Sequence, residues 1–288
     1  RGGRSNEVAY LVDGVYVKDP LLGGLSLEIG NDAIQEMSLL SGTFNAEYGN
    51  ALSGVVNIVT RDGDEDFTGK FEGRTSEFGV DQYTDLHESR INGSLSGPLI
   101  TDELTFFISG EVDNRGSYLS FGYDKLSSFF TKFTTTVFPS IKISLQNRGS
   151  MGDRQNYSHS YKYIPEQYLN INTDSWQSSL NFTHSVSNNF FYDVRTSYFN
   201  QGYYSGLHKD TSEYLPTGQW EYFSEYGDGF EFYKKADPVE LWDSRTATAD
   251  IKADAVWQID EVNELKLGAK FHKHWLDLFY IYDPQRNF

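Results

Sequence analysis

Residues 246–259 read TATADIKADAVWQI, and this stretch indicates the fold more clearly than any other. Alanine, isoleucine and tryptophan side chains occupy every second position from Ala247 to Ile259, and polar or charged side chains occupy most positions between them. A period of two is that of a β-strand with one apolar and one polar face. The stretch is also long enough for a tilted strand to cross a lipid bilayer.

The same alternation recurs along the chain from residue 67 onward and predicts about nine antiparallel strands. The predicted strands lie near residues 67–76, 89–97, 103–113, 127–138, 141–149, 175–185, 190–201, 244–259 and 264–279. The connections alternate between short turns and long segments, the latter at 77–88, 114–126, 150–174 and 202–243. Short turns at one rim and long loops at the other are typical of an outer-membrane β-barrel.

The composition fits a membrane barrel but does not single it out. Aromatic residues make up 16% of the chain, with 20 Tyr, 21 Phe and 5 Trp. Barrels place aromatic girdles at both membrane interfaces, and a sugar-binding β-sandwich or propeller accounts for the same composition equally well. Sandwiches mix their connection lengths and propellers repeat one blade length, so the alternating connections favour the barrel.

Charge and motif content exclude several function classes. A formal net charge of −17 argues against nucleic-acid binding, and the lack of cysteine excludes disulfides, Cys-zinc sites and thiol catalysis. We find no serine-hydrolase elbow, phosphate loop or zinc-protease motif, and therefore expect no enzyme activity and no cofactor. His272 and His274 share a strand face, but Lys270 lies on it too and no acidic third ligand is near in sequence, so no metal site is predicted.

Two N-terminal stretches resemble the plug domain of TonB-dependent outer-membrane receptors. They are YLVDGVYVKDP at 10–20 and AIQEMSLLSGTFNAEYGNALSGVVNIVTRDG at 33–63, and the Ala-Glu-Tyr-Gly-Asn form is similar to Oar-like receptors with an upstream carboxypeptidase-regulatory-like domain. Met37 and Leu39 depart mildly from the Ile or Val that the family often has there. Further on, LSGPL at 95–99 and LTFF at 104–107 look like the second and third barrel strands of the family. The residues of the plug motif are Asp13, Gly14, Gly42, Tyr48, Gly49, Gly54 and Asn57.

The resemblance and the strand pattern together predict the domain organisation. Residues 1–62 would be the C-terminal part of a small α+β plug domain, and 63–288 the N-terminal part of a transmembrane antiparallel β-barrel. The fold is thus expected to be mostly all-β. Because bacterial single-chain barrels have even strand counts and leave no free edge in lipid, we expect the chain to be an internal fragment of a longer protein.

The resemblance implies an importer of the Gram-negative outer membrane. Its solute would be a siderophore, vitamin, glycan or peptide, and its partners would be the TonB-ExbB-ExbD complex, through a segment upstream of Arg1, and outer-membrane lipid. A non-transporting adhesion, binding or assembly barrel is the alternative interpretation. A soluble extracellular glycan-binding protein is a third, and it predicts a chain that needs no detergent.

Ligand contacts are expected in two long loops, because aromatic faces beside hydrogen-bonding groups suit sugars and aromatic ligands. The same aromatic residues could instead pack each loop against itself as a lid. The candidates in 202–243 and its flanks are Tyr203, Tyr204, Trp220, Tyr222, Tyr226 and Trp242. Those in 150–174 are Tyr161 and Tyr163.

Overall fold

The protein is described by a computed structural model, which contains a small sheet and a large one. The residues that it describes are 7–21, 23, 28–41, 53–76, 87–99, 103–119, 121–215, 219–224, 231–238 and 240–282. No helix in these ranges is long and apolar enough to cross a membrane.

The small sheet, called the plug sheet below, has four strands. They are β1 (Val8–Val12), β2 (Val15–Tyr16), β3 (Ile34–Leu40) and β4 (Gly54–Thr60), in the order β2-β1-β4-β3. The central strand β4 has the sequence GVVNIVT, whose β-branched side chains suit a buried strand. It pairs parallel with β1 and antiparallel with β3.

The large sheet, called the wall sheet, has nine strands in the order β15-β14-β11-β10-β9-β8-β7-β6-β5, with every neighbouring pair antiparallel. Its strands are β5 (Thr68–Thr75), β6 (Ser89–Pro98), β7 (Leu104–Gly116), β8 (Tyr123–Phe138), β9 (Ile141–Gln155), β10 (Asn170–Ser187), β11 (Phe190–Gly206), β14 (Glu240–Gln258) and β15 (Glu264–Tyr282). All nine predicted strands are present, and the predicted mostly all-β barrel fold is confirmed.

The two faces of the wall sheet have the opposite polarity to those of a soluble protein. Polar side chains such as Gln146, Gln177 and Thr246 are buried on the inner face. Apolar side chains such as Trp176 and Ile251 are exposed on the outer face. The alternating apolar residues are therefore not packed between two stacked sheets, and the outer face is the surface that a bilayer would cover.

Connection lengths differ between the two rims of the wall sheet, as predicted, but three of the four long segments are shorter than expected. Strand β11 continues to Gly206 and β14 already begins at Glu240, and a hairpin of β12 (Glu221–Ser224) and β13 (Glu231–Lys235) lies between them. These strands extend past the length that a bilayer requires, so hydropathy alternation could not mark where they end. The rim with the long connections is called the loop rim below.

Candidate functional site

The plug sheet lies against the inner face of the wall sheet through two apolar contacts. Phe199 of β11 packs with Val12, Val17 and Ile58, all of them buried. On the other side, Ala33 packs against Phe107 and Phe130, whose ring centroids are 6.0 Å apart. Full burial of each phenylalanine contributes on the order of 2 kcal/mol. The inner face is otherwise polar, so these aromatic side chains act as local anchors for the plug sheet.

The wall closely approaches the Asp13-Gly14 turn between β1 and β2, which belongs to the plug motif. Both residues have positive φ, 49° and 78°, which a side chain disfavours and glycine accepts. A Cβ on Gly14 would also collide with the guanidinium group of Arg195 on β11. The carboxylate of Asp13 accepts hydrogen bonds from the backbone N–H of Thr60, at 2.9 Å, and from the hydroxyl of Thr60. The turn is thereby fixed to the end of β4.

A buried lysine of the wall joins this turn to the segment that follows β4. Lys132 of β8 donates to Thr60 Oγ1 at 3.2 Å, and its Nζ lies 2.6 Å from Asp62 Oδ1 and 3.6 Å from Asp13 Oδ2. The exposed Lys142 binds the second oxygen of Asp62 at 2.8 Å. Burial alone would raise the pKa of Asp62, but hydrogen bonds from the two lysines outweigh it and hold that pKa below its usual value.

A second polar contact joins the plug to the first two strands of the wall. The carboxylate of Asp32 accepts hydrogen bonds from Lys70 Nζ at 2.7 Å and from the amide of Asn92. Burial raises the pKa of Asp32, whereas the hydrogen bonds from Lys70 and Asn92 lower it, and the net shift is downward. On the opposite side, Gln201 Nε2 donates to Asp19 Oδ2 at 2.9 Å. Polar groups thus hold the plug to the wall on three sides. Hydrogen bonds of this kind can be replaced by hydrogen bonds to water at a low net cost in free energy.

The remaining residues of the plug motif divide into two groups. Gly54 is buried at the start of β4, and Asn57 lies in the middle of that strand. Asn57, Asp13 and Gly14 line a cavity of about 900 Å³ between the plug sheet and β11, β14 and β15. Gly42, Tyr48 and Gly49 lie outside the described residues.

Sequence reasoning missed the buried cation at the centre of the inner face. Arg148 of β9 is 1% exposed, and its Nε donates to Gln177 Oε1 at 2.7 Å. Its two terminal nitrogens have no hydrogen-bond partner among the described residues. The only signal was the polar face of the predicted strand 141–149, which places every second residue toward the lumen but does not say which of them the plug covers.

Two of the predicted ligand-contacting aromatic residues, Tyr161 and Tyr163, pack one long loop against the other, and Trp220 packs within its own loop. The rings of Tyr161 and Tyr233 are 4.8 Å apart at their centroids, and Trp220 meets Tyr233 edge to face at 5.7 Å. Tyr163 contacts Phe232 in the same way at 5.7 Å. Burial raises the pKa of Tyr161 well above its usual value. These contacts are those expected of a lid.

The other predicted candidates lie on the strands that carry the lid. Tyr203 on β11 meets Trp242 on β14 edge to face, and its ring lines a cavity of about 380 Å³ between the plug and the loop rim. The hydroxyl oxygen of Tyr204 lies 2.8 Å from the position that a Cβ on Gly206 would occupy. Tyr226 lies outside the described residues, and only the backbone of Tyr222 is described, in β12.

Comparison with known proteins gives one curated relative above chance and many solved structures of the same fold. No protein-family model matches the chain. The TonB-dependent transporter Oar of Myxococcus xanthus is 28% identical over 123 residues, which cover 37% of this chain and 11% of that protein.

Three solved outer-membrane proteins show how far the fold is shared. The pyoverdine outer membrane receptor FpvA from Pseudomonas aeruginosa, solved with pyoverdine, matches 96% of this chain and 40% of its own, with a TM-score of 0.71 at 12% identity. A mutant of the ferric enterobactin receptor PfeA from Pseudomonas aeruginosa has a TM-score of 0.64 at 14% identity, and the match covers 94% of this chain and 42% of that one. The outer membrane transporter YddB from Escherichia coli has a TM-score of 0.62 at 11% identity, and the match covers 94% of this chain and 40% of that one.

The chain therefore spans about two fifths of the length of these solved receptors. At such identities the structural likeness shows a shared fold, and the match to Oar supplies the relationship in sequence. Together with the inverted polarity of the wall sheet, they show that the chain is similar to TonB-dependent receptors of the Gram-negative outer membrane.

Proposed function

We propose that this chain forms the plug and the plug-bearing wall of an active importer of a scarce solute. In this proposal residues 1–62 belong to the plug and 63–288 to the barrel. The solute is a siderophore, vitamin, glycan or peptide, and the TonB-ExbB-ExbD complex supplies the force that remodels the plug. The relatives are transporters and receptors, which supports a role in transport rather than catalysis.

One observation carries the proposal. The plug sheet is fixed to the inner face of the wall by Phe199, Lys132 and Asp32 at separate places, so it occupies space on the lumen side of the wall. In this proposal the complete plug closes the lumen to large solutes until it moves. The polar contacts at Lys132 and Asp32 can be replaced by water, so a pulling force can release the plug without a large desolvation cost.

A tether between plug and wall tests the proposal. The side chains of Asp32 and Asn92 are hydrogen-bonded to each other, so cysteines at both positions of the full-length receptor can be bridged by a short bismaleimide. Uptake of ferric siderophores, cobalamin, oligosaccharides and peptides is then compared in cells with and without the bridge. The matched controls are the two single-cysteine variants treated with the same reagent.

We expect the unbridged receptor to support uptake of one of these solutes and the bridged receptor to bind that solute without importing it. A strain lacking the receptor with no uptake defect on any of them would contradict import. In that case a non-transporting adhesion or assembly barrel would account for the fold instead.

A further inference from the structure

The cavity that Tyr203 lines is bounded by the plug on one side and by the loop-rim ends of β7 to β11 on the other. Its volume is about 380 Å³, which is within the range of sites for small molecules or single side chains. Four carboxylates face it: Asp19 and Glu28 from the plug, and Asp113 and Asp124 from the wall. Asp153 and Asp174 also border it, but their side chains lie on the outer face of the sheet, where Asp174 pairs with Arg245. The cationic side chains that line it are Arg115 and Arg154.

The carboxylates of this cavity are only partly neutralised. Arg115 is occupied by Asp113, with 2.7 Å between Nη2 and Oδ2. Neither Glu28 nor Asp124 forms a hydrogen bond or ion pair with another residue in the described ranges, and both are exposed to the cavity solvent. A ligand entering the cavity therefore meets an excess of negative charge.

A buried amide supplies an independent observation on the chemistry of the ligand. Gln201 is 8% exposed and lines the cavity, and its Nε2 donates to Asp19. Its Oε1 has no hydrogen-bond partner in the part of the chain that the structure describes. Buried acceptors of this kind are usually satisfied, so the wall presents an acceptor without a donor. The missing partner is a donor, as ammonium and guanidinium groups are.

The carboxylates are too widely spread to hold one metal ion. No three His, Cys, Asp or Glu side chains among the described residues are grouped closely enough for metal binding. An organic cation with separated charges suits this spacing better than Ca²⁺, which needs its oxygens around one point. The ring of Tyr203 adds a face on which a cation can rest.

We propose that this cavity binds an organic cation with two or more ammonium or guanidinium groups, of the kind carried by basic peptides and polyamines. The inference rests on the proposed importer function and names the class of its solute. The positive groups lie against Asp124 and Glu28, and one N–H donates to Gln201 Oε1.

Binding to the full-length receptor in detergent tests the proposal directly. The probe is fluorescently labelled trilysine, with labelled triglutamate as the charge control and spermine as competitor. Glu28→Gln with Asp124→Asn removes two carboxylates that have no partner in the described residues, so the fold should be retained. Glu261→Gln is the matched control, because Glu261 is exposed in the turn at the opposite rim.

We expect trilysine to bind, triglutamate not to bind, and the double variant to bind trilysine at least about tenfold more weakly, with added salt producing a similar loss. Glu261→Gln should bind like the unaltered receptor. Equal binding of the two tripeptides, no binding of trilysine and spermine, or an unchanged affinity in the double variant would overturn the proposal. If spermine displaces labelled trilysine at a lower concentration than unlabelled trilysine does, the preferred ligand is a polyamine. If unlabelled trilysine is the stronger competitor, the preferred ligand is a basic peptide.

Failure of this inference can be told apart from failure of the import function. The binding assay needs no energised membrane. If the receptor binds trilysine but supports no uptake, the cation site is supported and the import function fails. If the receptor imports a solute but binds neither trilysine nor spermine, the cation site alone fails.

Discussion

The Nζ atom of Lys132 lies 2.6 Å from Oδ1 of Asp62, so the inner face of the barrel wall holds the segment that leads away from the plug sheet. The lysine side chain is 7% exposed, and Thr60 and Asp13 surround it with further acceptors. Asp13 of the plug motif meets the wall at this buried cation.

Replacing Lys132 with methionine should loosen the plug. The change leaves the carboxylates of Asp13 and Asp62 without their buried partner, and because Asp62 is 40% exposed we expect a cost on the order of 2 kcal/mol. Hydrogen exchange of β1 and β2 in the purified receptor measures the loss. Lys142→Met is the control, because that lysine binds the same Asp62 but is 51% exposed, and its removal should cost less than about 1 kcal/mol. Equal effects of the two changes would show that the buried Lys132 does not hold the plug more firmly than the exposed Lys142.

The plug contacts should weaken in acid. The pKa of Asp62 and of Asp32 is lower in the folded protein than in the unfolded chain. Each carboxylate therefore adds stability that is complete above about pH 5 and is lost as the pH falls below about 4. Thermal unfolding followed from pH 7 to pH 3 should show this loss, and Asp62→Asn should reduce its size. A variant with the same acid sensitivity as the unaltered receptor would argue against the pairing.

Alanine at Gly14 should destabilise the turn by roughly 1–2 kcal/mol, because its φ is 78° and the guanidinium of Arg195 occupies the space of the Cβ. Gly73→Ala is a suitable comparison, since nothing lies within 4 Å of the position of its Cβ. Chemical denaturation of both variants in detergent would give the difference. No difference between them would show that the turn is not constrained by the wall.

The family motif and the period of two together predicted the strands and their faces, because the alternation follows directly from having lipid on one side and water or plug on the other. The family motif also picked out Asp13 and Gly14, the two positive-φ residues of the turn between β1 and β2. The partners of these residues were not predictable. In the sequence, Lys132 and Arg148 resemble any other lumen-facing residue of a strand. They are buried because the plug packs over them, which the sequence of the strand does not show.

The ligand candidates show the same limit. An aromatic-rich loop predicts either a lid or a ligand surface, and the choice depends on how two loops far apart in sequence meet. Tyr161 lies in the contact between loops and Tyr203 lines the acidic cavity, although both are tyrosines in similar sequence surroundings.

Removal of the Tyr161 ring should separate the two loops. Tyr161 stacks near Tyr233, and its hydroxyl donates to the carbonyl of Asp237 at 3.3 Å. We expect Tyr161→Ala to make the loops several-fold more sensitive to protease on intact cells, because the aromatic contact and its burial are lost together. Tyr163→Ala should have a smaller effect, since Tyr163 is 47% exposed. Unchanged cleavage in both variants would show that the loops do not depend on each other.

Accessibility of nitroxide labels along β14 measures which face of the wall sheet meets lipid. The chain contains no cysteine of its own, so single cysteines at Thr248, Ala249, Asp250, Ile251 and Lys252 can each carry one label in the receptor reconstituted into lipid. We expect labels at Ala249 and Ile251 to collide with dissolved oxygen and to avoid a water-soluble nickel chelate, while the labels between them do not show this preference. Uniform accessibility along the strand, or nickel contact at Ala249 and Ile251, would contradict a wall with lipid on one face and a plugged polar lumen on the other.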